Sequence, residues 1–241
     1  ASAIYGCLPG ALFAGVLADR FGRKRLLLLC AVFYAVSGIW SAFPGSFPEF
    51  LAARFLGGLA IGISSMVCPT YIAEIAPERK RGFLGTLFQL GIVVGIFLVF
   101  FVNDRIQAQG DAAWNLAWGW RVMLGSESLP ALVFLILLGL VPESPRWLTL
   151  KGRGDAARRV LDRLLSPNEA NEEWAAITRG PSETEGRFRD LFAAAWRRPL
   201  TIAVVLAILS QFSGINAIMY YAPEVFKAAG ASRDSAFSSS V

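Results

Sequence analysis

The 241-residue sequence contains no histidine and only three cysteines. The absence of histidine excludes imidazole metal ligands and an imidazole proton relay. Because Cys7, Cys30 and Cys68 are odd in number and lie in apolar runs, we expect buried free thiols, with neither a disulfide framework nor a metal site. The sequence shows no nucleophile–base pair and no phosphate-binding loop. It therefore argues against an enzyme, and it indicates no cofactor.

Charge is also scarce. Only 17% of the residues are charged, whereas 55% are hydrophobic and the mean hydropathy is +0.51. A soluble domain of this size rarely carries so much apolar surface, so an integral membrane protein surrounded by a lipid bilayer is predicted. The net charge of +5 does not indicate a nucleic-acid partner, because the basic residues lie between apolar runs and form no single soluble face. Apolar sequence begins at once without a basic leader, so we expect a fragment of a longer protein and no signal peptide.

Long apolar runs dominate the rest of the sequence, and a run of about 20 residues crosses the ~30 Å hydrocarbon core as a helix. Six candidate spans are predicted, at 2–18, 26–43, 50–72, 83–102, 122–141 and 200–226. The turn-like pair Ser213-Gly214 predicts a break in the last span. Glycines four residues apart, at Gly6/Gly10, Gly58/Gly62 and Gly91/Gly95, predict close helix–helix contacts. The predicted fold class is an all-α membrane protein.

The distribution of basic residues predicts the orientation. The stretch GVLADRFGRKR (15–25) contains four cations at the end of an apolar run, which is typical of a cytoplasmic loop. If the spans alternate, the cytoplasmic segments are 19–25, 73–81 and 142–199, and together they hold 18 of the 23 Lys and Arg residues. Arg105 is the only Lys or Arg residue in the outer loops 44–49 and 103–120. We therefore expect a multi-pass protein of the cell (inner) membrane.

Three segments follow from this pattern: a transmembrane bundle at 1–141, a cytoplasmic helical linker at 142–199, and the start of a second bundle at 200–241. Helices are predicted within the linker at 154–165, 169–179 and 188–198.

Two charged residues lie inside the predicted spans. Arg54 and Glu127 are each about five or six residues from the outer end of a span, or ~7–9 Å deep, so they can meet as an ion pair. Such a pair either stabilises the bundle or takes part in ion coupling. Because histidine is absent, Glu127 is the best candidate for a protonation switch inside the membrane.

Amide side chains also lie within the spans. Gln89, Gln211 and Asn216 can both donate and accept hydrogen bonds, as sugar hydroxyls do, although amides in spans also join helices to one another. The predicted break at Ser213-Gly214 favours a cavity, because broken helices at membrane depth usually line one. At the inner ends of the spans, Glu74, Arg81, Glu143 and Arg146 either form a network that closes an inner gate or anchor the helices.

Six motifs in order resemble those of the sugar porter family of the major facilitator superfamily, with closest likeness to its bacterial xylose–proton and glucose transporters. They are GVLADRFGRKR (15–25), ARFLGG (53–58), PTYIAEIAPERKRG (69–82), GWR (119–121), PESPRWL (142–148) and SQFSGINAIMYYAPEVF (210–226). The resemblance covers nearly the whole chain. It implies a partial bundle of about six of twelve transmembrane helices, from helix 2 to helix 7.

The resemblance also implies roles for individual residues. The sugar-binding residues would be Gln89, Ser210, Gln211, Asn216 and Tyr220; the proton-coupling residues would be Arg54 and Glu127. The inner gate network would consist of Asp19, Arg20, Arg23, Glu74, Arg81, Glu143 and Arg146. The chain departs from the family pattern twice: Ser210 replaces the first of two glutamines, and Ile96 stands where xylose transporters have a glutamine.

The expected function is secondary active transport of a monosaccharide, a pentose or hexose similar to xylose or glucose, by alternating access with proton symport. A facilitative uniporter and a sugar sensor that does not transport remain alternatives. The expected partners are the sugar, a proton and the lipid bilayer.

Overall fold

The computed structural model describes residues 2–179 and 194–214, and within these residues the chain forms helices and no strands. Within residues 2–179 and 194–214, five helical segments are long and apolar enough to cross a membrane, judged by length and composition. They are α1 (Ser2–Phe21), α2 (Arg23–Ala42), α3 (Phe47–Ile75), α4 (Arg81–Gln107) and a fifth span, Ala112–Leu140. The predicted all-α membrane fold is thus confirmed for the described residues.

The fifth span is not one regular helix. It consists of α5 (Ala112–Trp114), a π-helical turn (Asn115–Gly119), α6 (Trp120–Ser126) and α7 (Ser128–Leu140). The break at Glu127 has a local cause: Pro130 has no backbone N–H, so it cannot donate to the carbonyl of Ser126. This break places Glu127 at a helix junction inside the span.

Beyond the fifth span lie α8 (Pro145–Leu150), α9 (Gly154–Leu164), α10 (Pro167–Arg179) and α11 (Ala194–Phe212). The chain divides into two compact units, Ala1–Thr178 and Arg179–Val241, and each is described by itself. In the first unit, α9 and α10 agree with the predicted linker helices 154–165 and 169–179. Of the predicted helix 188–198, residues 194–198 belong to α11 and the others lie outside the described residues.

The spans are longer than predicted, and the predicted loops are correspondingly short. The loop 19–25 is reduced to Gly22, whose φ of +96° reverses the chain between α1 and α2. The outer loop 103–120 is reduced to residues 108–111. The charged residues at the span ends thus continue the helices, because Arg, Lys and Glu are good helix formers and the backbone hydrogen bonds extend past the apolar run.

The core of the first unit is formed by α1, α2 and α3 with one residue of α7, and α1 and α3 are in close contact within it. A Cβ added to Gly6 would overlap the carbonyl of Phe55, and a Cβ added to Gly58 would overlap the carbonyl of Ala3. Gly10 and Gly62 are equally close to the opposite helix, so two of the three predicted glycine pairs do bring backbones together. The third prediction was wrong for the described residues, because a Cβ at Gly91 or Gly95 meets nothing within 4 Å.

Helix α2 lies against α3, α6 and α7, and its buried face includes Leu27, Cys30 and Ala31. The cysteines Cys7, Cys30 and Cys68 are all free thiols. By contrast, α4 buries only Ile106 within its unit. Helix α2 thus has a central position, between α3 and the fifth span.

The linker helices have a small core of their own, in which Trp147 and Leu148 of α8 pack against Ala157 of α9 and Trp174 of α10. Helix α10 begins with a capping arrangement: the Ser166 hydroxyl and backbone N–H both donate to Glu169 Oε2, at 2.7 and 3.1 Å. These hydrogen bonds lower the pKa of the Glu169 carboxyl below its ordinary value, because they stabilise the charged form.

Candidate functional site: two ion-pair clusters and a cavity

The first cluster is the pair Arg54–Glu127. Arg54 lies about two turns into α3, and Glu127 lies at the junction of α6 and α7. Arg54 Nη1 donates to both carboxylate oxygens of Glu127, at 3.0 Å to Oε2 and 3.3 Å to Oε1. The two side chains thus meet as the sequence predicted. The fifth span begins earlier in the sequence than expected, at Ala112, so Glu127 lies near the middle of this helical segment.

A cavity of about 830 Å³ lies beside this pair, within the first unit. Most of the lining is apolar, and polar groups come from Tyr34, Ser37, Arg54, Ser126 and Glu127. Ile96, the second departure from the family pattern noted in the sequence, lines this cavity. None of the predicted sugar-binding amides is among its lining residues in the described part of the chain.

The predicted sugar-binding residues are distributed over both units. Gln89 lies on α4 with an exposed side chain, and Ser210 lies on α11, also exposed. Gln211 belongs to the last turn of α11, and this helix ends at Phe212, directly before the predicted break. Gly214 has a φ of +75°, which a glycine accommodates readily. Asn216 and Tyr220 lie outside the described residues.

The second cluster is centred on Arg23, at the start of α2. Its Nε and Nη2 both donate to Glu74 Oε1 on α3, at 3.2 and 2.9 Å, and its Nη1 contacts Asp19 at 3.0 Å and the carbonyl of Ala18 at 3.1 Å. The Arg23 and Glu74 side chains are each only 8% exposed, whereas Asp19 is 72% exposed. Three of the predicted gate residues are therefore in direct contact.

Glu143 joins the α1–α2 turn by a different route. Its Oε1 accepts from the backbone N–H of Lys24 at 3.0 Å and from that of Ser144 at 3.0 Å. A Cβ on Gly22 would lie 2.5 Å from Glu143 Oε2, so a larger residue at this position would force the carboxylate to shift. Trp147 Nε1 donates to the carbonyl of Asp19 at 2.9 Å. Hydrogen bonds thus join the segment after the fifth span to the turn between α1 and α2.

Among the remaining predicted gate residues, Arg81 and Arg20 have other neighbours. Arg81 Nη2 pairs with Glu173 of α10 at 2.9 Å, and its Nε donates to the carbonyl of Ala76. The Arg20 guanidinium lies 5.4 Å from the ring centroid of Phe21. Arg146 is exposed in the first turn of α8.

Sequence reasoning did not identify Glu173, Lys24 and Trp147 as partners of the predicted gate residues Arg81, Glu143 and Asp19. The tryptophan belongs to the PESPRWL motif and could have been noticed there. Glu173 has no comparable signal, because it is one of several acidic residues in α10. The contact made by Lys24 uses only its backbone N–H, which no side-chain pattern reveals.

Comparisons with known proteins agree with the family that the sequence motifs indicate. Residues 1–241 match the family described as "Sugar (and other) transporter". The D-xylose-proton symporter of Escherichia coli (strain K12) is 40% identical over 255 residues, which cover 97% of this chain and 51% of that protein. The arabinose-proton symporter of Bacillus subtilis (strain 168) is 38% identical over 237 residues, with coverages of 98% and 51%.

Among solved structures, the proton:xylose symporter XylE bound to 6-bromo-6-deoxy-D-glucose matches with a TM-score of 0.87 and 39% sequence identity. The match covers 98% of this chain and 53% of that chain. The chain thus spans about half the length of the relatives it matches.

Proposed function

The chain belongs to the sugar (and other) transporter family, and from this premise we propose that it acts, within a longer polypeptide, in secondary active transport of a monosaccharide with proton symport. Its described helices have the major facilitator superfamily fold, in part, as the solved relatives indicate. The relatives named as D-xylose-proton and arabinose-proton symporters support a pentose as the sugar. Transport would proceed by alternating access between two helical bundles.

The observation that carries the proton-coupling part of this proposal is the contact between Arg54 and Glu127. An ionisable carboxylate inside a span is costly unless it has a partner or a role. Here a single guanidinium nitrogen holds both carboxylate oxygens. Protonation of Glu127 would cancel its charge and with it most of the attraction to Arg54. A proton on Glu127 would therefore weaken the ion pair that joins α3 to the fifth span.

Sugar recognition is proposed for Gln89, Ser210, Gln211, Asn216 and Tyr220. Amide and hydroxyl groups can pair with sugar hydroxyls as both donors and acceptors. The serine at position 210 offers a shorter reach than a glutamine, so the sugar specificity of this chain is expected to differ from that of relatives with two glutamines.

An inner gate is proposed for the cluster centred on Arg23. Its contacts link α1, α2 and α3, and Glu143 adds the segment after the fifth span. We propose that Asp19, Arg20, Arg23, Glu74, Arg81, Glu143 and Arg146 hold this end of the bundle together in one state and exchange partners in the other.

Sugar uptake into proteoliposomes tests the function. The transporter that contains this chain is reconstituted, and uptake of D-xylose, arabinose and D-glucose is followed with and without an inward proton gradient. Accumulation driven by the gradient is the expected result. Exchange without accumulation would indicate a uniporter, and the absence of flux for all three sugars would favour a sensor. A Glu127→Gln variant that still accumulates sugar would remove this pair from the coupling mechanism.

A further inference from the structure

Two buried serines attach the helices of the Arg54–Glu127 pair to α2. Ser37 of α2 donates its hydroxyl to the carbonyl of Ala53 on α3, at 2.7 Å. Ser128, the first residue of α7, donates to the carbonyl of Ala35 on α2, at 3.2 Å. Both serines are nearly inaccessible, with 3% and 7% exposure. These are therefore buried interhelical hydrogen bonds, and an unmade bond at a buried position is costly. Ser37 also borders the cavity beside the ion pair.

The two hydrogen bonds lie next to the charged residues in the chain. Ala53 directly precedes Arg54, and Ser128 directly follows Glu127. Each bond therefore fixes the backbone within one residue of a charged side chain. Both bonds end on the same helix, α2, which itself contributes no charge to the pair.

A glycine leaves room for each serine hydroxyl. A Cβ on Gly57 of α3 would lie 2.5 Å from Ser37 Oγ, and a Cβ on Gly38 of α2 would lie 2.5 Å from Ser128 Oγ. In both cases the glycine is on the helix opposite the serine. The two contacts thus have the same construction: a serine donor, a carbonyl on the facing helix, and a glycine on that helix beside the hydroxyl.

We propose that Ser37 and Ser128 are positioning residues, which hold α3 and the start of α7 on α2 and thereby set the separation of Arg54 and Glu127. The proposal rests on the proposed coupling role of that pair. Because neither hydroxyl touches the charged groups, both hydrogen bonds persist when Glu127 gains a proton. The helices then keep their places while the ion pair alone weakens, so that the same pair forms again when the proton leaves.

The test compares Ser37→Ala and Ser128→Ala with matched controls from the same helices. Ser41→Ala removes a buried α2 hydroxyl that has no partner in the described part of the chain. Ser65→Ala removes a hydroxyl of α3 that bonds to the carbonyl of Gly62 in its own helix and does not line the cavity. Each variant of the transporter is reconstituted, and sugar exchange and proton-driven accumulation are measured separately.

The expected result is a split between the two measurements. Loss of one interhelical hydrogen bond should lower the accumulation ratio roughly three- to fivefold, while the KM for exchange is unchanged. The control variants should accumulate sugar as the wild type does. An equal loss of exchange and accumulation would overturn the inference, because it would indicate a general structural role for the serines.

A double-mutant cycle gives a second, independent test. Gly57→Ala should displace the Ser37 hydroxyl and lower accumulation as Ser37→Ala does. In the Ser37→Ala background the hydroxyl is gone and only the Cβ of residue 37, 3.2 Å from the added methyl group, has to shift, so Gly57→Ala should then have a smaller further effect. Additive effects of the two substitutions would contradict the proposed contact.

Glu127→Gln separates this inference from the proposed function. If Glu127→Gln abolishes accumulation while Ser37→Ala and Ser128→Ala leave it intact, the positioning role is refuted and the coupling role stands. If Glu127→Gln accumulates sugar normally, the coupling role itself fails, and the positioning role fails with it.

Discussion

Removal of the Glu74 carboxylate should destabilise the inner end of the bundle. Glu74 Oε1 accepts both the Nε and the Nη2 hydrogen bonds of Arg23, and both side chains are only 8% exposed. Breaking a buried pair typically costs about 3–5 kcal/mol, because the remaining charge stays buried without compensation. Here Asp19 and the carbonyl of Ala18 still accept from Arg23 Nη1. We therefore expect Glu74→Ala to cost about 2–3 kcal/mol.

Two further variants separate the buried contact from the exposed one. Asp19 is 72% exposed, so Asp19→Ala should cost only about 0–1 kcal/mol. The double variant Arg23→Met/Glu74→Leu removes both buried charges together. It should be less destabilising than Glu74→Ala alone, because no unpaired charge remains in the core.

Stability can be followed through the thiol of Cys30, which is fully buried and free. On a Cys7→Ser/Cys68→Ser background, a thiol-reactive fluorogenic dye reports the exposure of Cys30 on heating. Apparent melting temperatures are compared at a single heating rate, because unfolding of such proteins is commonly irreversible. If Glu74→Ala and Asp19→Ala lower the melting temperature equally, the reasoning from burial is refuted.

The other predictions concern packing, pH and sugar binding. Gly58→Ala places a Cβ against a backbone carbonyl and should cost about 1–3 kcal/mol of stability. Gly91→Ala places its Cβ in open space and should be neutral or stabilise the protein by up to about 1 kcal/mol. The thermal assay described for Glu74→Ala measures both variants, and equal effects would contradict the contact between α1 and α3. Because the pKa of Glu169 is lower in the folded protein, its contribution to α10 is complete above the ordinary value of 4.5 and is lost as the pH falls through the folded-state pKa. Amide exchange in the first turn of α10, corrected for its intrinsic pH dependence, should show this loss. Ser166→Ala should make the loss smaller, because only the backbone N–H of residue 166 then donates to Glu169. Gln89→Ala should weaken sugar binding about tenfold or more, and an unchanged dissociation constant by calorimetry would remove Gln89 from the proposed site.

The resemblance found in the sequence is confirmed, because the family match spans residues 1–241. The family match also agrees with the prediction that the chain is not an enzyme, since the matched family consists of transporters. The domain division and the roles of the site residues stay predictions. For Asn216 and Tyr220 this includes their position, because they lie outside the described residues.

The helix ends show where apolar runs mislead. The pattern of hydropathy located all five described spans, but it ended α1 at residue 18 and began the fifth span at residue 122. The helices continue to Phe21 and begin at Ala112, because hydropathy measures membrane depth whereas backbone hydrogen bonding determines helix length.

The contacts show a second limit. Arg54 and Glu127 could be paired from the sequence, since isolated charges within apolar spans have few possible partners. Arg81 could not be assigned to Glu173, because the linker contains several carboxylates and only the placement of α10 selects among them.

By itself, the sequence determined that this protein crosses the membrane several times, which ends of its spans carry the basic residues, and which family it belongs to. These properties follow from local composition and from ordered motifs. Only the tertiary structure decided that Ser37 and Ser128 bond across to facing helices, that Gly22 accommodates Glu143, and that Gly91 has no close neighbour. Each of these depends on the distance between helices that are far apart in the chain, and a single sequence does not encode that distance in any local pattern.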